Sequence, residues 1–432
     1  MNLDGLKVTI MGLGRHGGGV AAARYCALGG AVITVTDLAD ELALAESRAE
    51  LEDLRIARLA LGQHFVEDFC SADVVVVSPA VRPGNEFVEI ARRGGALITS
   101  EIELFLDACP ARVIGVTGTV GKSTTAAMLA AILRAAGRRV WLGGNIGNSL
   151  LADLPKIRAE DFVVLELSSF QLHWLRAEAR WPSAAIVTNC SPNHLDWHRT
   201  WDHYVASKQR LVTHLSADGP SVLNTDDGEV GRWKGLCRCP SSGPWQLEDI
   251  PTLRVPGEHN LLNAACAAAM ATELGADVRI ISEALTDFRG LPHRLAMIAQ
   301  IGGRQFYNDS KSTTPRATIS ALSAIGDPIW LLLGGARRPV DLSELVSQAI
   351  RKVKGVALFG EAAPVLAAAF RRADPSFPCC WHGSLDGAIK WCFGRSRPGD
   401  SILFSPAFPS TDQFHDFAHR GQEFERLVRA LG

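Results

Sequence analysis

Short apolar runs rich in β-branched residues alternate with Ala- and Leu-rich stretches of helical period along nearly the whole chain. The runs at 7–11, 31–36, 74–77, 113–117, 162–167, 184–188, 330–333, 356–359 and 401–404 are too short for ordinary helices and predict strands. Some are apolar at every position, as in Val74–Val77, which suits strands covered on both faces. The rhythm therefore predicts an α/β chain whose parallel sheets are flanked by helices. Two seams interrupt it. Around 100–110 one series closes before Val113 opens another, and around Gly290-Leu291-Pro292-His293-Arg294 a helix-rich stretch gives way to a new strand after Gly303. Three domains are expected, at 1–101, 102–292 and 293–432.

Each of the first two domains opens on a glycine loop. The first strand runs into Gly12-Leu13-Gly14-Arg15-His16-Gly17, and the second ends at Asp37. Glycines permit a tight turn and close phosphate approach, a helix N-terminus favours the anion, and an acidic residue can accept a ribose hydroxyl. Gly14, Arg15, His16 and Asp37 are thus candidates for holding a nucleotide.

The strand at 113–117 leads into Gly118-Thr119-Val120-Gly121-Lys122-Ser123-Thr124-Thr125 and an apolar helix. Loop amides and a helix N-terminus can cradle a triphosphate, Lys122 can neutralise its outer oxygens, and Ser123 can ligate Mg²⁺. The loop is shorter than the full P-loop pattern, whose first glycine would fall at Val116. Glu166 ends another apolar strand, and His194 follows one more, so both sit at the sheet edge where ligands bind. By itself a lone histidine such as His194 is more often a packed or solvated residue than a ligand.

Composition narrows the partners. With 44 Lys+Arg against 46 Asp+Glu in 432 residues, there is no basic excess for nucleic acid or an anionic membrane. No apolar run approaches the roughly 20 residues of a membrane span, and the start lacks secretory-signal character, so a cytoplasmic protein is expected. The ten cysteines are scattered, and the close pairs Cys237/Cys239 and Cys379/Cys380 lack metal-ligand spacing. They read as reduced structural thiols.

Nine segments in order carry a family resemblance: Gly118–Thr125, Gly143-Gly144-Asn145-Ile146-Gly147, Leu165–Gln171, His194-Leu195-Asp196, Tyr204-Val205-Ala206-Ser207-Lys208, Gly257–Ala264, Leu291–Arg294, Asn308-Asp309-Ser310-Lys311 and Ser405-Pro406-Ala407. In these the chain resembles the Mur ligases. The resemblance implies a Rossmann-like domain at 1–101 that binds UDP, a central P-loop-type ATPase domain at 102–292 and a Rossmann-like glutamate-binding domain at 293–432. It implies an ATP-dependent ligase that adds glutamate to UDP-N-acetylmuramoyl-L-alanine through an acyl phosphate, acting as a monomer.

By similarity, ATP would contact Gly118, Thr119, Gly121, Lys122, Ser123, Thr124, Asn260, Asn263, Arg294, Asp309 and Lys311. Lys122, His194 and Lys208 would be the catalytic groups. One Mg²⁺ would sit on Ser123 and Glu166, and a second on His194 and a CO2-derived carbamate of Lys208. Gly14, Arg15, His16, Asp37 and Asn145 would serve the UDP substrate. Glutamate would meet Thr313, Arg338, Ser410 and Phe417.

The glutamate cluster departs from the family pattern, in which lysine stands at the position of Arg338, an aliphatic residue at Thr411 and asparagine at Thr314. Arg can pair with a carboxylate, but its fork imposes a different geometry from an ammonium. D-glutamate is the first expectation and the L-glutamate-adding class the alternative. Val120, where the family usually has Asn, leaves one loop contact unaccounted for. A folylpolyglutamate synthetase shares the loop, an NAD-dependent dehydrogenase would share Gly12–Gly17, and a non-catalytic regulator would share the fold. The first domain and Leu165–Phe170 argue against the first of these, the second glycine loop against the second, and the retained Lys122, Glu166, His194 and Lys208 against the third.

Overall fold

The computed structural model describes residues 1–14, 17–146, 149–216, 218–236, 245–255, 257–326 and 328–432. Its strands form three sheets. The first comprises β1 (Lys7–Met11), β2 (Val32–Asp37), β3 (Ile56–Leu61), β4 (Val74–Val77) and β5 (Leu97–Thr99), all parallel, in the order β3-β2-β1-β4-β5. β4 is buried at all four positions, as its unbroken valine run requires.

The second sheet comprises β6 (Arg112–Thr117), β7 (Val140–Gly144), β8 (Phe162–Glu166), β9 (Ala184–Val187) and β10 (Ser221–Leu223), again parallel, in the order β10-β9-β6-β8-β7. β6 is central and lies between β8 and β9. The chain leaves β6 toward one edge and later crosses to the other side. A parallel sheet places its ligand crevice at such a switch, outside the carboxyl ends of the strands.

These two sheets belong to one compact unit, residues 1–250 with 262–285. Indole N–H groups stitch them together: Trp174 Nε1 donates to the Val81 carbonyl at 3.1 Å and Trp197 Nε1 to that of Ala80 at 3.2 Å. Fully buried Glu103 adds to this, accepting from Thr99 Oγ1 at 2.9 Å and from the Arg176 amide at 2.7 Å.

The second unit, residues 251–261 with 286–432, carries the third sheet. It comprises β11 (Ala296–Ile301), β12 (Arg304–Asn308), β13 (Ile329–Gly334), β14 (Val353–Phe359), β15 (Cys379–Trp381) and β16 (Ser401–Ala407), in the order β11-β12-β16-β13-β14-β15. Here the expectation of parallel pairing needs correction, because β11 and β12 are antiparallel. Only Gly302 and Gly303 join them, both at positive φ (+54° and +74°). A two-residue link of that geometry makes a hairpin and is too short for a parallel crossover. Among the described residues no helix is long and apolar enough to cross a membrane.

Candidate active site

From Thr117 at the end of β6 the chain turns through Gly118–Gly121 into the helix Lys122–Ala135. Two glycines are obligatory. At Gly118 (φ +155°) a Cβ would lie 2.0 Å from Thr188 Oγ1, and at Gly121 (φ +84°) it would lie 2.2 Å from Asn263 Oδ1. Only a residue without Cβ lets the loop pass this close. Asn263 is buried and its Oδ1 also accepts from Thr125 Oγ1 at 3.2 Å.

Residues beyond β9 fasten the loop. Asn189 Oδ1 accepts from the amides of Thr119 (3.1 Å) and Val120 (2.9 Å), while its Nδ2 donates to the Val120 carbonyl at 2.9 Å. Thr188 Oγ1 donates to the same carbonyl at 2.7 Å, and Thr119 Oγ1 lies 2.8 Å from Tyr204 Oη. The Val120 side chain is exposed, so the loop is held by its backbone at that position.

On the other flank stands Glu166, last residue of β8 and 1% exposed. Its Oε2 accepts from Ser123 Oγ at 2.5 Å and its Oε1 from Asn145 Nδ2 at 2.8 Å. Gly144 (φ +87°) permits that approach, since a Cβ there would lie 2.2 Å from the Glu166 carbonyl oxygen. Ser123 Oγ and Glu166 Oε2 are adjacent hard oxygens of the kind Mg²⁺ takes, so this donor set fits the metal. Gln171 has a local task instead: with Ser168 it forms the capping box of helix Ser169–Trp174.

Lys208 projects from helix Trp201–Thr213 and is 1% exposed. Its Nζ donates to the Gly118 carbonyl at 2.7 Å and lies 3.4 Å from Thr117 Oγ1. Burial, reinforced by the charge of Lys122, pushes its pKa well below the usual lysine range. Lys122 Nζ donates to the Thr119 carbonyl at 2.9 Å. His194 precedes helix Leu195–His198 at φ +52°, and its ring meets Phe170 edge-on at 4.8 Å. Desolvation, then the charge of Lys122, lowers its pKa, so at neutral pH the imidazole is uncharged and able to ligate.

The first glycine loop lies where the first sheet's strand order reverses, between β1 and β4. Gly14 donates its amide to Asp37 Oδ2 at 3.0 Å and Ala39 donates to Oδ1 at 2.8 Å. Asp37 thus anchors the loop and keeps lone pairs for a hydroxyl. Arg15 and His16 lie outside the described residues, as do Cys237 and Cys239.

In the second unit Asp309 is buried, accepting from Ser405 Oγ at 2.7 Å and from the Leu295 amide at 3.1 Å. Burial raises its pKa to about 6, against hydrogen bonds and the charge of Arg294. Lys311 Nζ stands 5.1 Å from the centre of the Phe417 ring, and Arg338 Nη2 donates to the Thr313 carbonyl at 2.5 Å. Ser410 and Asn260 are buried, the latter with its amide on the Gly257 carbonyl at 2.9 Å. Sequence reasoning gave no role to Asn189 or Tyr204. Their contacts follow from β9 lying beside β6, which no local pattern encodes.

Residues 116–242 match the Mur ligase middle domain and residues 293–408 the glutamate ligase domain of Mur ligases. The chain is 36% identical to the UDP-N-acetylmuramoylalanine–D-glutamate ligase of Roseiflexus sp. (strain RS-1), with 100% of both chains covered. It is 34% identical to the enzyme of the same name from Symbiobacterium thermophilum, with 98% of each covered. Among solved structures it resembles the UDP-N-acetylmuramate-alanine ligase of Thermotoga maritima at TM-score 0.60 and 18% identity, covering 99% of this chain and 100% of that one. The MurF ligase of Thermotoga maritima in complex with ADP gives TM-score 0.57 at 19% identity, covering 84% and 100%.

Proposed function

Because the chain belongs to the family of UDP-N-acetylmuramoylalanine–D-glutamate ligases, we propose that it joins D-glutamate to UDP-N-acetylmuramoyl-L-alanine in peptidoglycan precursor synthesis, using ATP. A carboxylate at neutral pH is a poor electrophile. The substrate's terminal carboxylate therefore takes the γ-phosphoryl group of ATP, ADP leaves, and the amine of glutamate displaces phosphate from the acyl carbon to make the amide.

The reading is supported above all by Lys122, Ser123, Glu166 and Lys208, which cluster at the carboxyl ends of adjacent strands around one glycine loop. Lys122 carries the positive charge that meets the transferred phosphoryl oxygens. Asn145 Nδ2 fixes the Glu166 carboxylate, and the same residue would meet the substrate near its reacting carboxylate. Lys208, buried and biased to the neutral amine, is in the form that adds CO2, and the resulting carbamate would supply an anionic oxygen. Magnesium held by Ser123 with Glu166, and by His194 with that carbamate, would neutralise charge on the phosphates.

The domain at 1–101 would hold the UDP end through Gly14 and Asp37, with Arg15 and His16 as further contacts. The domain at 102–292 would hold ATP, with Asn260 and Asn263. The domain at 293–432 would add Arg294, Asp309 and Lys311 to ATP and take glutamate on Thr313, Arg338, Ser410 and Phe417. The enzyme acts as a cytoplasmic monomer in this reading. Phosphate release is measured with ATP, Mg²⁺, UDP-N-acetylmuramoyl-L-alanine and pure D- or L-glutamate. Turnover with the D isomer is expected. Turnover with L-glutamate alone would move the protein to the L-adding class, and no turnover with either would end the proposal.

A further inference from the structure

Arg420 lies on helix Phe417–Arg429, whose N-cap Asp416 accepts from the His419 amide at 2.7 Å. It is fully buried, and the carboxylate whose charge acts on its guanidinium is that of Asp412, which makes no hydrogen bond to it. Burial, opposed by the charge of Asp412, lowers its pKa to about 10, so the group stays charged at neutral pH.

Among the described residues every hydrogen bond of its fork goes to a neutral oxygen. Nε donates to Ser310 Oγ at 3.0 Å and Nη2 to the Ser310 carbonyl at 2.7 Å, while Nη1 donates to the carbonyls of Phe408 (2.9 Å) and Pro409 (3.1 Å). Ser310 Oγ in turn donates to the Phe417 carbonyl at 2.8 Å. The Pro409 carbonyl also takes the Ala336 amide at 2.8 Å. Next to this junction Gly335 (φ +132°) is pressed so close that a Cβ would lie 2.1 Å from the Pro409 oxygen and 2.9 Å from Arg420 Nη1.

These contacts join four segments, around residues 310, 336, 409 and 417. Ser310 lies three residues before Thr313, Pro409 directly before Ser410, and Ala336 two residues before Arg338, while Phe417 begins the helix that carries Arg420. All four residues proposed to meet glutamate therefore hang on segments tied to one guanidinium. A planar fork with fixed donor directions sets the spacing of several carbonyls at once, which an ammonium on a flexible stem does less well. We propose that Arg420 is a positioning residue for the amino-acid substrate, holding Thr313, Arg338, Ser410 and Phe417 in register without touching glutamate itself. This rests on the glutamate role assigned above to that cluster.

Full-length enzyme carrying Arg420→Lys, Arg420→Met or Ser310→Ala is compared with wild type. The measurements are the KM for glutamate, the dissociation constant for UDP-N-acetylmuramoyl-L-alanine and the melting temperature. The glutamate KM is expected to rise at least tenfold in Arg420→Met and less in Arg420→Lys, with UDP-substrate binding within twofold of wild type. Ser310→Ala removes the hydroxyl that links Arg420 Nε to the Phe417 carbonyl but keeps the Ser310 carbonyl on Nη2; it should raise the glutamate KM severalfold, which decides the matter should Arg420→Met fail to fold. A glutamate KM unchanged in Ser310→Ala and Arg420→Lys, with only the melting temperature lowered, would overturn the proposal. A wild-type enzyme that does not saturate with glutamate would instead overturn the functional reading beneath it.

Discussion

The Nζ of Lys208 lies 2.7 Å from the Gly118 carbonyl, so a residue 90 positions downstream is fastened to the turn that opens the ATP loop. The contact is buried, and the first effect of burial is to favour the neutral amine. Lys208→Ala is expected to be folded and to lose nearly all ligase activity. Short carboxylates such as acetate should restore part of it by occupying the place of the carbamate. Activity that stays flat across an acetate titration would leave the lysine as a loop fastener only.

Lys122 sits at the first turn of its helix with its ammonium folded back on the Thr119 carbonyl. Replacing it by alanine removes the cation that meets the transferred phosphoryl group. ATP-dependent ADP formation should fall by about a thousand-fold, in line with the loss of one transition-state donor, while far-UV dichroism is unchanged. Turnover near the wild-type level would remove the phosphate role.

Asn189 satisfies two loop amides and one loop carbonyl at once. In Asn189→Ala the Thr119 amide keeps the backbone carbonyl of residue 189 and the Val120 carbonyl keeps Thr188 Oγ1, but the Val120 amide loses its partner, at a cost on the order of 1–3 kcal/mol. The KM for ATP should rise by about tenfold or more, with the UDP substrate bound as before. Equal weakening of both ligands would point to general unfolding instead.

Three histidines form a hydrogen-bonded row beside Ser169. His198 Nε2 is 2.9 Å from Ser169 Oγ, His198 Nδ1 is 3.0 Å from His203 Nδ1, and His203 Nε2 is 3.1 Å from His173 Nδ1. Burial, then the charge on His203, pushes His198 down to about 3 and His173 to about 4, from 6.5 in an unfolded chain. Their contribution to stability is therefore full above pH 6.5 and is lost as the pH falls toward 4, because only the unfolded chain takes up protons there. Urea midpoints at pH 7.5, 6 and 5 should drop steeply in wild type and less in His198→Asn. Parallel drops would show that other groups carry the acid sensitivity.

The sequence by itself determined the pieces whose physics is local. Unbroken apolar runs such as β4 could only be buried strands, and the glycines at 118 and 121 announced a loop that tolerates no Cβ. Lys122 and Ser123 follow from their place after that loop, and Glu166 and His194 from theirs after apolar runs. What only the tertiary structure decided is which strands lie side by side. Strand order is set by crossovers and pairing between residues far apart in sequence, and it alone puts β8 and β9 against β6, bringing Glu166 to Ser123 and Asn189 to the loop amides. The antiparallel β11–β12 pair turned on the conformation of Gly302 and Gly303, which apolar periodicity does not report. Arg420 was hidden for the same reason: a charged residue on a polar-looking helix reads as solvated, and only folding shows it buried among four segments that it joins.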